Sequence, residues 1–292
     1  MISLFPLIVA AALSAGFQGP RAQAPDFDET VAVTRGARLS VENRAGEVVM
    51  RVWDRDAVRV TARQSARARA HVRSADNMVW VTGRGLGSID YEITVPSWLP
   101  VKVTGHFNYI QLNGMGSEVT AQNVRGDIDI RGGRGFITAK SIEGHIRIVG
   151  AEGKVAATAV NDDVTIENAA GELTIDATNG NVTMTGIKAA AVSIGALNGT
   201  VRYTGTLAEN GRYSFTTHNG SIILQVQPNP NATFYVRTYE GSFRQDLGLK
   251  PQGETRQGRR NTYVSGNGSA QVELESFNGG VRVSTAPARQ ER

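Results

Sequence analysis

Residues 126–149 read Gly126-Asp-Ile-Asp-Ile-Arg-Gly-Gly-Arg-Gly135-Phe-Ile-Thr-Ala-Lys-Ser-Ile-Glu-Gly144-His-Ile-Arg-Ile-Val149. Each numbered glycine opens a unit with apolar residues two and four positions on. The unit recurs as far as Tyr203, with further corners at Gly153, Asp162, Gly171, Gly180, Ala190 and Gly199. Successive corners are nine residues apart, apart from one step of ten between Gly180 and Ala190. The apolar pairs are Ile128/Ile130, Ile137/Ala139, Ile146/Ile148, Val155/Ala157, Val164/Ile166, Leu173/Ile175, Val182/Met184, Val192/Ile194 and Val201/Tyr203. Period-two alternation puts each pair on one face of a short strand, with polar residues such as Asp127/Asp129 and His145/Arg147 on the other.

Alternate corners differ, which doubles the period to 18. One class carries Asn or an acid before the corner: Glu143-Gly144, Asn161-Asp162, Asn179-Gly180 and Asn198-Gly199. The other reads Arg134-Gly135, Glu152-Gly153 and Ala170-Gly171. Such corners accept positive φ, as a sharp reversal needs. The motif returns at Asn219-Gly220, Glu240-Gly241 and Asn278-Gly279, spaced by longer insertions.

Two architectures share this pattern. In an antiparallel meander Asn-Gly would be a two-residue hairpin turn. In a solenoid each 18-residue coil gives two strands and stacks on the next at about 4.8 Å. The small interior residues Ala139, Ala157, Ala159 and Ala177 suit two closely packed faces of one coil. A meander would need a covering layer, and no segment has a helical period to supply it. The expected fold is therefore all-β: a β-solenoid, or β-helix, of roughly 18-residue coils with two short strands each.

Before the repeat, strand patterns such as Val48-Val-Met-Arg-Val52 and Tyr91-Glu-Ile-Thr-Val95 are less regular, as expected of an N-terminal β cap over residues 25–112. The solenoid repeats are expected over 113–285, with a polar loop at 245–262 and a flexible tail at 286–292. Residues 25–285 then form one continuous domain. The last coil, near Val281-Arg-Val283, is expected to leave an edge that another chain or the tail could cover. Residues 2–17 are apolar and too short for a membrane span, and Ala22-Gln23-Ala24 is an A-x-A cleavage pattern. This marks 1–24 as a signal peptide and places the mature chain in the periplasm or at the cell surface. No later stretch has the apolar length of a spanning helix.

The sequence of 292 residues holds no cysteine, which excludes disulfides, thiolate metal sites and cysteine nucleophiles. Its net charge of +4 falls to about +3 when 1–24, carrying Arg21 alone, is removed. That mild excess permits contact with anionic polymers without requiring it.

Three segments carry a family resemblance. They are Leu39-Ser-Val-Glu-Asn-Arg-Ala-Gly-Glu-Val-Val-Met-Arg-Val-Trp53, Tyr91-Glu-Ile-Thr-Val-Pro96 leading into Val101-Lys-Val103, and the Asn-Gly unit of Thr178-Asn-Gly-Asn-Val182 and Thr217-His-Asn-Gly-Ser-Ile222. Together these resemble the bacterial putative-adhesin family, a large set of uncharacterised, often exported β proteins, over roughly residues 30–285. The resemblance implies a β-helix-like envelope domain and brings no catalytic residues. It departs from the family at the insertion 245–262.

Chemistry is sparse. There is no G-x-S-x-G nucleophile elbow, and His71, His106, His145 and His218 show no metal spacing. Asp127 and Asp129 share a strand, with Asp162 and Asp163 at a matching corner. Stacking is expected to make Asp127 and Asp163 neighbours, able to bind Ca²⁺ or act as an acid–base pair. The matching positions run Asp127, His145, Asp163, Asn181 and Thr200, too few acids for a calcium roll, so a solvated polar face is the expectation. No metal, cofactor or catalytic residue is assigned.

The segment Ala66-Arg67-Ala68-Arg69-Ala70-His71-Val72-Arg73 alternates strictly. As a strand it puts Arg67, Arg69, His71 and Arg73 on one face, the arginines about 6.7 Å apart where they alternate. This is the candidate anionic-ligand patch, for an anionic glycan, a lipid headgroup or an envelope protein; nucleic acid is not expected outside the cytoplasm. The same charges also suit an edge strand protected against aggregation. The functional expectation is a non-enzymatic, adhesin-like binding or structural module, against a polysaccharide-acting enzyme or a partner in envelope signalling.

Overall fold

The computed structural model describes residues 26–287. The expected signal peptide at 1–24 and most of the expected tail at 286–292 lie outside the described residues.

The first seven strands are β1 (Phe27–Ala32), β2 (Arg38–Trp53), β3 (Ala57–Gln64), β4 (Ala68–Ala75), β5 (Met78–Gly85), β6 (Ile89–Pro96) and β7 (Val101–Met115). The regular repeat follows as β8 (Val119–Arg125), β9 (Ile128–Gly132), β10 (Arg134–Glu143), β11 (Ile146–Val149), β12 (Glu152–Ala159) and β13 (Val164–Glu167). It continues through β14 (Ala170–Asn179), β15 (Val182–Asn198), β16 (Val201–Gly205), β17 (Arg212–Asn219) and β18 (Ile222–Val226). The last strands are β19 (Ala232–Thr238), β20 (Phe243–Gln245), β21 (Lys250–Pro251), β22 (Asn261–Ser265), β23 (Ala270–Ser276) and β24 (Val281–Thr285). Residues 245–262 thus hold the end of β20, the two-residue β21 and the start of β22.

The repeat is wound as a solenoid. Ile137 of β10 lies beside Val155 of β12 in a parallel ladder, 18 residues on, and Ile146 of β11 lies beside Val164 of β13. A meander would have put β11 between β10 and β12 and paired consecutive strands antiparallel. All nine apolar pairs point inward, and none of their side chains is more than 3% exposed. Burying each Val, Ile or Leu contributes roughly 1.5–3 kcal/mol, so the two-face core is the main source of stability. The ten-residue step has a local cause. Gly171 pairs with Ala189 and Glu172 with Ala191, which leaves Ala190 as a one-residue bulge.

The ladders form two faces. The front runs β4-β5-β2-β7-β8-β10-β12-β14-β15-β17-β23-β19-β22-β21. The back runs β1-β3-β6-β2-β7-β9-β11-β13-β15-β16-β18-β24-β20. The long strands β2, β7 and β15 take part in both. At each end the spatial order departs from chain order. Strands β23 and β24 insert between β17/β18 and β19/β20, so Val281-Arg-Val283 is paired on both sides and is not the edge expected of a last coil. The outermost ladders are antiparallel at the N-terminal end (β1–β3 and β4–β5) and on the front face at the other (β19–β22 and β21–β22), while the back face ends in the parallel β20–β24 pair.

Corner glycines have two different causes. At Gly171, φ is +114° and an added Cβ would overlap the Gly153 carbonyl. At Gly180, φ is not positive, yet a Cβ would overlap the Asp162 carbonyl oxygen and lie 2.6 Å from its carbon. The Asn-Gly corners therefore require glycine because coils stack closely, not for the positive φ that the motif implied. Beside them the asparagines form a ladder: the side-chain amide of Asn179 donates to Asn161 at 3.0 Å, Asn198 to Asn179 at 2.7 Å, Asn219 to Asn198 at 2.8 Å and Asn278 to Asn219 at 2.8 Å.

Candidate functional site

Strand β4 closes the front face at the N-terminal end and pairs with β5 alone. Its alternation follows from the small apolar side chains: Ala68 and Val72 are buried, while Arg69, His71 and Arg73 are exposed. Arg67 precedes the strand in a turn and is also exposed. The antiparallel register sets Arg69 opposite Arg84, His71 opposite Thr82 and Arg73 opposite Trp80. Arg84 is an exposed cation that the one-strand reading missed, because only the hairpin register brings it there.

The four residues are not equally free. The Arg69 Nη1 donates to the carbonyls of Ala68 at 2.7 Å, Ala66 at 3.3 Å and Ser65 at 3.4 Å, tying it to the preceding turn. The Arg73 guanidinium lies 5.2 Å from the Trp80 ring centroid. Among the described residues, none of Arg67, Arg69, Arg73 and Arg84 has a carboxylate within ion-pair distance. Like charges facing each other across a strand pair oppose folding, so the cluster is held by the surrounding structure and lacks internal compensation.

The expected acid pair is not assembled. Asp127 and Asp163 lie two coils apart, with His145 in the coil between them. Each carboxylate instead accepts a corner amide from the next coil: Asp127 from His145 N–H at 2.9 Å and Asp163 from Asn181 N–H at 2.6 Å. Asp162 accepts from Gly144 N–H at 2.8 Å. Asp129 sits near Arg131 and Arg147, at 3.3 and 3.6 Å. The acids at this corner column thus satisfy backbone donors that a tight corner leaves open. Among the described residues, no three His, Asp or Glu side chains converge as a metal-binding group.

A second region, on the front face toward the C-terminal end, was not expected. The outward side chains of β15 are Ala191, Ser193 and Gly195, none larger than its register partners on β14 and β17, and they floor a trough. Two depressions of about 300 and 500 Å³ lie along it, one over Ala191 and Ser193 and the other over Gly195. One is bounded by Thr174, Ser214 and Glu273, the other by Asp176, Thr216 and Glu275, so each wall strand gives consecutive outward residues to the two. At the corner end rise Leu197, His218, Phe277 and Tyr239. The His218 and Phe277 rings stack at 4.8 Å and Tyr239 lies 4.8 Å from Phe277. A sequence signal existed: Leu197, His218 and Phe277 each precede an Asn-Gly corner, and Tyr239 precedes Glu240-Gly241. Only the insertion of β23 between β17 and β19 puts them side by side.

Charges around the trough largely compensate one another. Lys154 pairs with Glu172 at 3.0 Å, Arg260 with Glu273 at 3.5 Å and Arg237 with Glu275 at 3.5 Å, while the Tyr239 hydroxyl donates to Glu275 at 3.4 Å. Arg260 also covers the Tyr235 ring at 4.1 Å.

The molecule is a capped parallel β-solenoid whose outward faces carry side chains at fixed ladder spacing. The chain belongs to the Toastrack DUF4097 family, a domain of unknown function, whose model matches residues 37–284. The match bears out the resemblance noted in the sequence. A solved structure described as a putative cell adhesion protein from Clostridium sporogenes is similar at 11% identity, over 89% of this chain and 99% of that one, with a TM-score of 0.27. That likeness is too loose to carry a structural or functional argument. No curated protein matches the chain. Among the described residues no helix is long and apolar enough to cross a membrane.

Proposed function

We propose that this chain is an exported, non-enzymatic binding or structural module of the bacterial envelope, periplasmic or at the surface, with residues 25–285 acting as one domain. The observation that carries the reading is the uncompensated basic cluster of Arg67, Arg69, His71 and Arg73, with Arg84 across the hairpin. A row of guanidinium groups without carboxylate partners suits phosphate, sulfate or carboxylate groups on an anionic glycan or a lipid headgroup, or an acidic face of an envelope protein. Export rests on the apolar run at 2–17 and the Ala22-Gln23-Ala24 pattern.

The free edge of β4 favours a second reading, in which the same charges prevent edge-to-edge pairing. An enzyme acting on envelope polysaccharide has less support, since Asp127 and Asp163 are apart and occupied by corner amides.

Binding of the full chain to vesicles containing anionic phospholipid and to anionic polysaccharides, at low and high salt, tests the proposal. Near an anionic surface each arginine contributes on the order of 1 kcal/mol, so Arg67/Arg69/Arg73→Ser should weaken binding roughly a hundredfold. Saturable, salt-sensitive binding that this variant loses supports the proposal. No binding by the folded wild type, together with aggregation of the variant, assigns the row to edge protection.

A further inference from the structure

We infer that the front-face trough over β15 is a binding site for a neutral oligosaccharide chain. This goes beyond the anionic patch and does not rest on it, because the two lie on different coils and differ in chemistry.

The shape comes from one strand. Between Ala190 and Ala196 the outward positions are Ala191, Ser193 and Gly195, which span about 13 Å along the strand. The register partners on β14 and β17 are longer at each of these positions except Ser214 beside Ser193. The two depressions follow one another along the strand, one over Ala191 and Ser193 and the other over Gly195. Their volumes of about 300 and 500 Å³ are in the range of small-ligand sites.

The lining chemistry selects the ligand. Hydroxyls of Thr174, Ser193, Ser214 and Thr216 and the carboxylates of Asp176 and Glu275 offer donors and acceptors in mixed order. The corner end is apolar, with Leu197 48% exposed and Phe277 39% exposed. A sugar chain presents the same combination, hydroxyls around the ring edge and apolar C–H faces. The ion pairs Lys154–Glu172, Arg260–Glu273 and Arg237–Glu275 offset the acids, so the site lacks the excess charge that an ionic polymer needs. Asp176 is an acceptor with no ion-pair or hydrogen-bond partner among the described side chains, open to a sugar hydroxyl. A peptide adding as a strand finds no purchase, because β14, β15 and β17 already pair on both sides.

The test is calorimetric titration of the full chain with neutral hexasaccharides, namely cellohexaose, maltohexaose and chitohexaose. Two variants act on different parts of the site. Gly195→Val fills the floor; its Cβ would meet only Asp176 Oδ1, at 3.2 Å, and the backbone there is not in the positive-φ region. Asp176→Ala removes the open acceptor. Unchanged thermal melting establishes that each variant is folded, and Arg67/Arg69/Arg73→Ser serves as a control on the other patch. The expected result is saturable binding of at least one hexasaccharide, weakened about tenfold or more by each trough variant and unaffected by the arginine control. The proposal is overturned if the folded wild type binds none of the three. It is equally overturned if binding survives in Gly195→Val within about twofold.

Discussion

Replacing Gly180 by alanine isolates what stacking demands of a corner. The backbone there is not in the left-handed region, so alanine meets no intrinsic penalty in φ. Its Cβ would nevertheless overlap the Asp162 carbonyl of the neighbouring coil. Relief requires the coils to separate locally, which costs about 1–3 kcal/mol of overpacking. Separation also weakens the bonds that cross this same coil interface: Asn179 N–H to the Val160 carbonyl at 2.7 Å, and the Asn179 side-chain amide to Asn161 at 3.0 Å. At about 1 kcal/mol net for each bond, the total reaches about 3–5 kcal/mol. For a domain of this size that lowers the melting temperature by about 6–20 °C. Gly150→Ala is the control. Gly150 has φ of +69° with nothing within 4 Å of an added Cβ, so alanine pays only the left-handed penalty of about 1 kcal/mol, or roughly 2–4 °C. Thermal melting followed by circular dichroism compares the two. If Gly150→Ala is as damaging as Gly180→Ala, or more so, close coil stacking is not what holds glycine at position 180.

Three further outcomes follow from packing and hydrogen bonding. Ile166→Ala, at a fully buried position mid-solenoid, should cost about 2–5 kcal/mol in chemical denaturation. Asn198→Ala removes two rungs of the exposed asparagine ladder and should cost about 1 kcal/mol, against less for Asn278→Ala, which loses one. Burial holds the hydroxyls of Tyr91, Tyr203 and Tyr213 above the usual tyrosine range. The unfolded chain ionises these groups first, so their stabilising effect is complete below about pH 10 and lost as pH rises toward the folded values. Alkaline titration should therefore show their tyrosinate absorbance appearing together with loss of β-structure; ionisation at ordinary pH with the fold intact would contradict their burial.

Much of the architecture was legible because the repeat is local. A nine-residue unit with two inward side chains fixes which residues meet in the core, and the alternation of corner types reveals the 18-residue coil. The bulge at Ala190 was visible as the single ten-residue step. What stayed hidden depends on order in space. Strands β23 and β24 sit inside β19 and β20, and nothing local to Gln271 or Arg282 states which coil they join. The front-face trough was missed for the same reason, since Phe277 reaches His218 and Tyr239 only through that insertion. The basic strand was legible from alternation alone, whereas Arg84 needed the hairpin register. The error over Asp127 and Asp163 was one of counting: the matching column passes through His145, and neighbours in that column are one coil apart.

The front-face trough exists only if successive coils stack side by side in parallel. The absence of cysteine makes this directly measurable. Thr165 and Thr183 are register partners on β13 and β15, both partly exposed on the back face. Neighbouring strands bring Cα atoms to about 4.8 Å, within the span a disulfide bridges, whereas strands two apart in a meander stand at about 9.6 Å, outside it. Oxidation of Thr165→Cys/Thr183→Cys should give an intramolecular disulfide in the folded chain. The pair Thr165→Cys/Thr174→Cys, on opposite faces, should give none. Cross-linking of the second pair, or its absence in the first under the same oxidant, would contradict the solenoid.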